Sequence, residues 1–108
     1  MTSARGVYLN YAEWNANRTA NTSNDVVLFF HASWCPKCQD TDASAKAGMP
    51  PGLTLVKVDY DGANELRQKY GVTLQHTFVQ VDDSGKALKK WVGTYDDNTV
   101  AWVKAQTV

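Results

Sequence analysis

Cys35 and Cys38 are the only cysteines in the chain, and they follow closely on the apolar run Val26-Val27-Leu28-Phe29-Phe30. A run of that length is strand-sized, and Pro36 between the thiols is tolerated in the first turn of a helix but not in its interior. The pattern therefore predicts a fully buried strand over 26–31 and a helix that begins at the cysteines. At a helix start, unpaired N–H groups and the positive dipole end stabilise a thiolate, the reactive form of the residue. Closing a two-residue gap stabilises a fold very little, so the pair is a poor structural staple. The placement points to redox chemistry at the pair.

The remaining pattern supplies a framework around that junction. Val7, Tyr8, Tyr11, Trp14 and Arg18 are spaced as an amphipathic first helix over 7–18. Asn17 to Asn24 reads as an Asn/Thr-rich loop, and its two glycosylation-type triplets, starting at Asn17 and Asn21, follow from that composition. The Cys35–Ala47 helix must end at Gly48-Met49-Pro50-Pro51-Gly52. Leu53 to Asp59 is a second, central strand, and Ala63 to Tyr70 a short helix stopped by Gly71. Thr77 to Asp82, the turn Asp83-Ser84-Gly85, and Lys86 to Val92 form a hairpin. Gly93 breaks its second strand, and Asp96 or Asp97 caps a last helix carrying Val100, Trp102 and Val103.

Strands joined through helices run parallel, and the hairpin adds antiparallel strands. The expected fold is α/β: a central mixed four-stranded sheet flanked by helices on both faces, with a short fifth N-terminal strand as the variant. One domain accounts for 1–108. Eleven basic and eleven acidic side chains cancel, which removes any general attraction to nucleic acid or anionic lipid. No apolar run approaches the roughly 20 residues of a membrane span. The segment Met-Thr-Ser-Ala-Arg-Gly lacks the apolar core of a secretory signal, although a mature domain without its leader has the same look.

Phe-Phe-His-Ala-Ser-Trp-Cys-Pro-Lys-Cys at 29–38, Val-Lys-Val-Asp-Tyr-Asp at 56–61, Lys-Tyr-Gly-Val at 69–72 and Gly93 together resemble the thioredoxin superfamily over residues 7–106. The resemblance implies a thioredoxin-like fold and a redox-active Cys35–Cys38 pair. In that scheme Cys35, at an exposed helix start, attacks a substrate disulfide, and the more deeply buried Cys38 resolves the mixed disulfide. Trp34 shields the nucleophile and offers an apolar docking surface; Pro36 sets the helix start. Lys37 either favours the Cys35 thiolate or is an ordinary solvated surface lysine. Trp14, Trp91 and Trp102 are expected in the core.

Three departures stand out. The buried acid that the family carries on the strand before the motif is Phe29 here. Lys57, which would sit beside that acid, is left to turn outward or pair with Asp59 or Asp61. His31 replaces an aromatic residue and is either a titrating neighbour or a packed, hydrogen-bonded side chain. The third departure is Gln75-His76-Thr77, where the family has Ile-Pro-Thr with the proline cis and facing the cysteines. A cis bond to a residue other than proline costs about 3 kcal/mol, so a trans Gln75–His76 peptide and a rearranged loop are expected. The imidazole is expected near Cys35 and Cys38; the bland alternative has it facing solvent.

The resulting functional expectation is a monomeric thiol–disulfide oxidoreductase acting on protein thiols and disulfides, in the reductase direction and without a cofactor. The Cys-Pro-Lys-Cys motif and its context look more like those of bacterial extracytoplasmic proteins with dedicated partners, a cytoplasmic setting being the alternative. No metal is expected. A metal- or cluster-binding module using Cys35, Cys38 and His76 is the competing reading, and those three ligands fall short of a closed tetrahedral site. A catalytically weak adaptor presenting Trp34 and the Gln75–Thr77 loop is a third.

Overall fold

The computed structural model describes residues 5–18, 24–94 and 96–108. It contains five strands, β1 (Val7–Asn10), β2 (Asp25–His31), β3 (Leu53–Asp59), β4 (Thr77–Val81) and β5 (Ala87–Val92). Four helices join them: α1 (Tyr11–Ala16), α2 (Pro36–Ala47), α3 (Asn64–Tyr70) and α4 (Val100–Gln106). The sheet order is β1-β3-β2-β4-β5. β3 is parallel to both β1 and β2, whereas β4 runs antiparallel to β2 and β5. This is the mixed sheet expected, with the fifth strand present.

The first element differs from the helix expected over 7–18. Val7–Asn10 pairs in parallel with β3 as an edge strand, and only Tyr11–Ala16 is helical. Asn10 marks the boundary: its side chain accepts from the Glu13 N–H while the Glu13 carboxylate accepts from the Asn10 N–H, a reciprocal capping box. The Asn21 triplet and most of the adjoining loop fall outside the described residues.

β2 lies between β3 and β4 and is apolar on both faces. Phe29, with Phe78 and Trp91 in register beside it, builds an aromatic ladder on one face, the Phe29 and Phe78 rings stacked at 5.2 Å. The other face carries Leu28, Val56 and Val79, all fully buried. Burial on both sides requires helical cover on both sides. α2 supplies a narrow stripe, Cys38, Thr41 and Ala45, and packs against α4. Trp14 is buried; Trp91 and Trp102 are partly buried against the core.

The last helix starts later than expected. Asp96 and Asp97 precede it, and the cap is Thr99, whose hydroxyl accepts from the Trp102 N–H at 3.2 Å. Thr99→Ala is expected to lower unfolding free energy by about 1 kcal/mol in urea titration. Asp96→Ala, at an exposed position, should change it by less than about 0.5 kcal/mol. The reverse ranking would put the cap back on the aspartate.

Candidate active site

β2 runs straight into the cysteine motif. Cys35 has the extended conformation of an N-cap (φ −97°, ψ 113°), and Pro36 follows it in the first turn. The Cys35 Sγ accepts the Cys38 N–H at 3.3 Å, so the helix start is capped by sulfur. Both thiols are free. The expectation of an exposed Cys35 is corrected: it is 1% exposed, against 0% for Cys38. The N-cap conformation folds its Sγ back over the first turn instead of outward. Burial, followed by the side-chain hydrogen bond with Cys35, pushes the Cys38 thiol up to about 12. The dithiol thus combines a sulfur held against a helix N-terminus with a second sulfur kept protonated beneath it.

Trp34, immediately before the pair, is 56% exposed. Its Nε1–H donates to Asp61 at 2.8 Å and its ring meets Tyr60 edge-on, which fixes an apolar surface beside the cysteines. Asp61 therefore serves Trp34, not Lys57.

His76 is where the chain departs furthest from the pattern it resembles. Among the described residues every peptide bond is trans, and His76 lies in the left-handed region at φ +59°. Histidine is one of the few side chains that visit this region with some frequency, at a cost of about 1 kcal/mol. Its backbone stays beside the site: the N–H donates to the Phe30 carbonyl and the carbonyl accepts from Gly93 N–H. The imidazole turns inward. It is fully buried, edge-on to Phe29 and Phe78, with Nε2 at 2.8 Å from the Thr41 hydroxyl. The solvent-facing alternative is thereby corrected.

Thr41 has one proton and can donate it to the Asn98 carbonyl at 2.9 Å. It then receives Nε2–H, which leaves Nδ1 buried with no hydrogen-bond partner among the described residues. Burial holds this imidazole below its usual range, against an upward pull from the Gly93 backbone; the Lys37 charge lowers it further. Lys37, half-buried in the first turn of α2, thus acts on His76. Thr77 is buried and donates to the Leu74 carbonyl at 2.6 Å, closing the loop before β4.

Phe29 and His76 fit together as a pair, the ring of one supporting the ring of the other. Lys57, in register with Phe29, finds its partner elsewhere: Nζ lies 3.3 Å from Asp42 Oδ1 on α2, which corrects the pairing with Asp59 or Asp61. Asp42 also accepts from the Tyr8 hydroxyl at 2.5 Å and pairs with Lys46 at 2.9 Å. Burial works against its charge, yet the hydrogen bonds from Tyr8, Lys46 and Lys57 hold its carboxyl down at about 2. Sequence pattern reads Tyr8 only as part of the first helix and does not mark Asp42; the signal present was the four-residue spacing of Asp42 from Cys38. His31 is half-buried, packed edge-on against Phe29, with burial and then the Lys57 charge lowering it.

Among the described residues no three His, Cys, Asp or Glu side chains are arranged to hold a metal. Cys35, Cys38 and His76 are not brought together as such a group.

Comparison with known proteins agrees with the fold. The thioredoxin family model matches residues 6–105. A thioredoxin H-type of Oryza sativa is 33% identical over 105 residues, covering 91% of this chain and 85% of that one. A thioredoxin-like protein of Fusarium culmorum is 34% identical over 76 residues, covering 60% of this chain and 63% of that protein's length. The solved structure of the germline-specific thioredoxin Deadhead of Drosophila melanogaster superposes with a TM-score of 0.67 at 22% identity, covering 100% of both chains.

Two outcomes follow from His76. A histidine kept neutral by the fold contributes fully above its ordinary pKa of 6.5, and the contribution is lost as pH falls below that value towards the lowered one. The urea midpoint should therefore drop between neutral pH and mild acid, and His76→Gln should flatten the drop; an unchanged slope would count against the buried neutral imidazole. At Gly93, an added Cβ would lie 2.5 Å from His76 Cε1 and 2.7 Å from the Asp97 carbonyl. Gly93→Ala should cost about 1–3 kcal/mol by calorimetry, and Gly93→Ala combined with His76→Ala less than the sum.

Proposed function

The chain belongs to the thioredoxin family, and from that premise we propose that it reduces disulfides in other proteins, with Cys35 as nucleophile and Cys38 as resolving thiol. The observation that carries the reading is the sulfur-capped helix start, with a second free thiol one turn along. The Cys35 thiolate attacks one sulfur of a substrate disulfide, forming a mixed disulfide and releasing the other sulfur as a thiolate. Cys38 then loses its proton and attacks Cys35 Sγ. The bond to the substrate breaks, its second sulfur leaves as a thiolate, and the Cys38 proton is taken up by the released thiolate or by water. Two substrate sulfurs are reduced and the Cys35–Cys38 disulfide is formed.

Support for a protein substrate comes from the surface around the pair. Trp34, directly before Cys35, is more than half exposed, and Leu74, two residues before His76, is exposed to the same degree. Pro36 also stands exposed at the helix start. The same reading keeps the setting expected from the motif, outside the bacterial cytoplasm and with a dedicated partner; fractionation of the producing cell decides the setting.

Insulin reduction with dithiothreitol as the regenerating reductant tests the activity. Cys35→Ser should abolish it, and Cys38→Ser should trap a mixed disulfide visible on a non-reducing gel. Wild-type activity retained by Cys35→Ser would overturn the assignment.

A further inference from the structure

We propose that the cleft at the carboxyl ends of the three parallel strands binds a free aromatic α-amino acid, its carboxylate on Lys57 and its ammonium on Asp59. The inference does not depend on the redox reading of the cysteines.

Asn10, His31 and Asp59 are the last residues of β1, β2 and β3. Pairing sets them side by side, Asn10 opposite Lys57 and His31 opposite Asp59. The chain passes from β1 beyond β3 to β2, then steps back to β3. Right-handed crossovers taken in these opposite directions send α1 and α2 to opposite faces of the sheet. The strand ends are left open between the two helices, which is where open parallel sheets hold small ligands. A cleft of about 540 Å³ lies there, lined by Asn10, Tyr11, His31, Ser33, Lys57 and Asp59. That volume is in the range of small-molecule sites.

The chemistry of the lining selects the ligand. Lys57 and Asp59 are two residues apart on one strand, so both side chains leave the same face, their Cα atoms about 6.5–7 Å apart. Asp42 takes one of the three Lys57 donors at 3.3 Å, but it is compensated more closely by Lys46 at 2.9 Å and by the Tyr8 hydroxyl. The Lys57 side chain is 35% exposed and keeps donors for a second carboxylate. The Asp59 carboxylate makes no hydrogen bond or ion pair with a described residue. One open charge of each sign at fixed spacing favours a ligand that carries both.

Two rings complete the cleft. His31 is half-buried against Phe29, and burial and then the Lys57 charge lower it. At neutral pH it therefore adds a donor and an acceptor without adding charge. The Tyr11 ring, braced by Trp14 at 5.7 Å, offers an apolar wall of the size of a benzyl side chain.

Isothermal titration calorimetry of the full chain with L-phenylalanine tests the site. The comparison ligands are 3-phenylpropionate, which lacks the ammonium, and 2-phenylethylamine, which lacks the carboxylate. L-Phenylalanine should saturate one site, and each comparison ligand should bind about tenfold more weakly or worse, the loss of one charge-assisted hydrogen bond. Asp59→Asn should weaken L-phenylalanine by a similar factor and abolish its advantage over 3-phenylpropionate. Lys57→Met should do the same with respect to 2-phenylethylamine. His31→Trp, which fills the cleft, should remove binding altogether. Lys57 also supports Asp42, so if Lys57→Met does not fold, Asp59→Asn decides, its side chain being exposed at the strand end. Lack of saturation by L-phenylalanine up to its solubility, equal binding of the three probes, or wild-type affinity in Asp59→Asn would each overturn the proposal.

Discussion

Everything near the cysteines hangs on β2 being hydrogen-bonded along both edges and buried on both faces. Its residues pair with β3 from Asp25 to His31 and with β4 from Val26 to Phe30. A strand so enclosed has almost no freedom to shift, since a slip by one residue would exchange the Phe29 face for the Leu28 face. The chain therefore leaves the sheet at one fixed place, and the helix start with its two sulfurs follows four residues later. The precision of the site is inherited from the sheet.

On that frame, two unusual residues pack against each other. A charged side chain at 29 would sit under the imidazole of His76 with no water to solvate it; an aromatic ring there gives the imidazole a surface to pack on. The left-handed backbone at His76 then keeps the loop next to the cysteines while sending its side chain to Thr41. The carboxylate that counterbalances Lys57 has correspondingly been taken from the opposing helix layer.

How far these features can be read from residues alone differs by element. β2 and β3 are legible because uninterrupted apolar runs of strand length have few other solutions, and the β4–β5 hairpin because Asp83-Ser84-Gly85 marks its turn. β1 was hidden, since over four residues Val7 and Tyr8 fit the helical spacing of Tyr11 and Trp14 as well as a strand alternation. The Asn10–Glu13 capping pair was the available clue to the true helix start. The Thr99 cap was masked by two aspartates with the same capping chemistry. At the site, the cysteine pair was legible from local order. The destinations of His76 and Lys57 were not, because both are settled by contacts with α2 from residues distant in sequence, Thr41 and Asp42.

The near-complete burial of Cys35 has a consequence for chemical lifetime. Oxidation of a cysteine to sulfenic and then sulfinic acid follows thiolate character together with exposure. With 1% of its surface open, the first sulfur is sheltered from dissolved peroxide while remaining beside the Trp34 surface, against which a macromolecular disulfide can be pressed. Under the proposed function, selectivity between a diffusing oxidant and a docked partner would come from docking itself: a partner held against the Trp34 surface has to uncover the sulfur, which a passing collision does not.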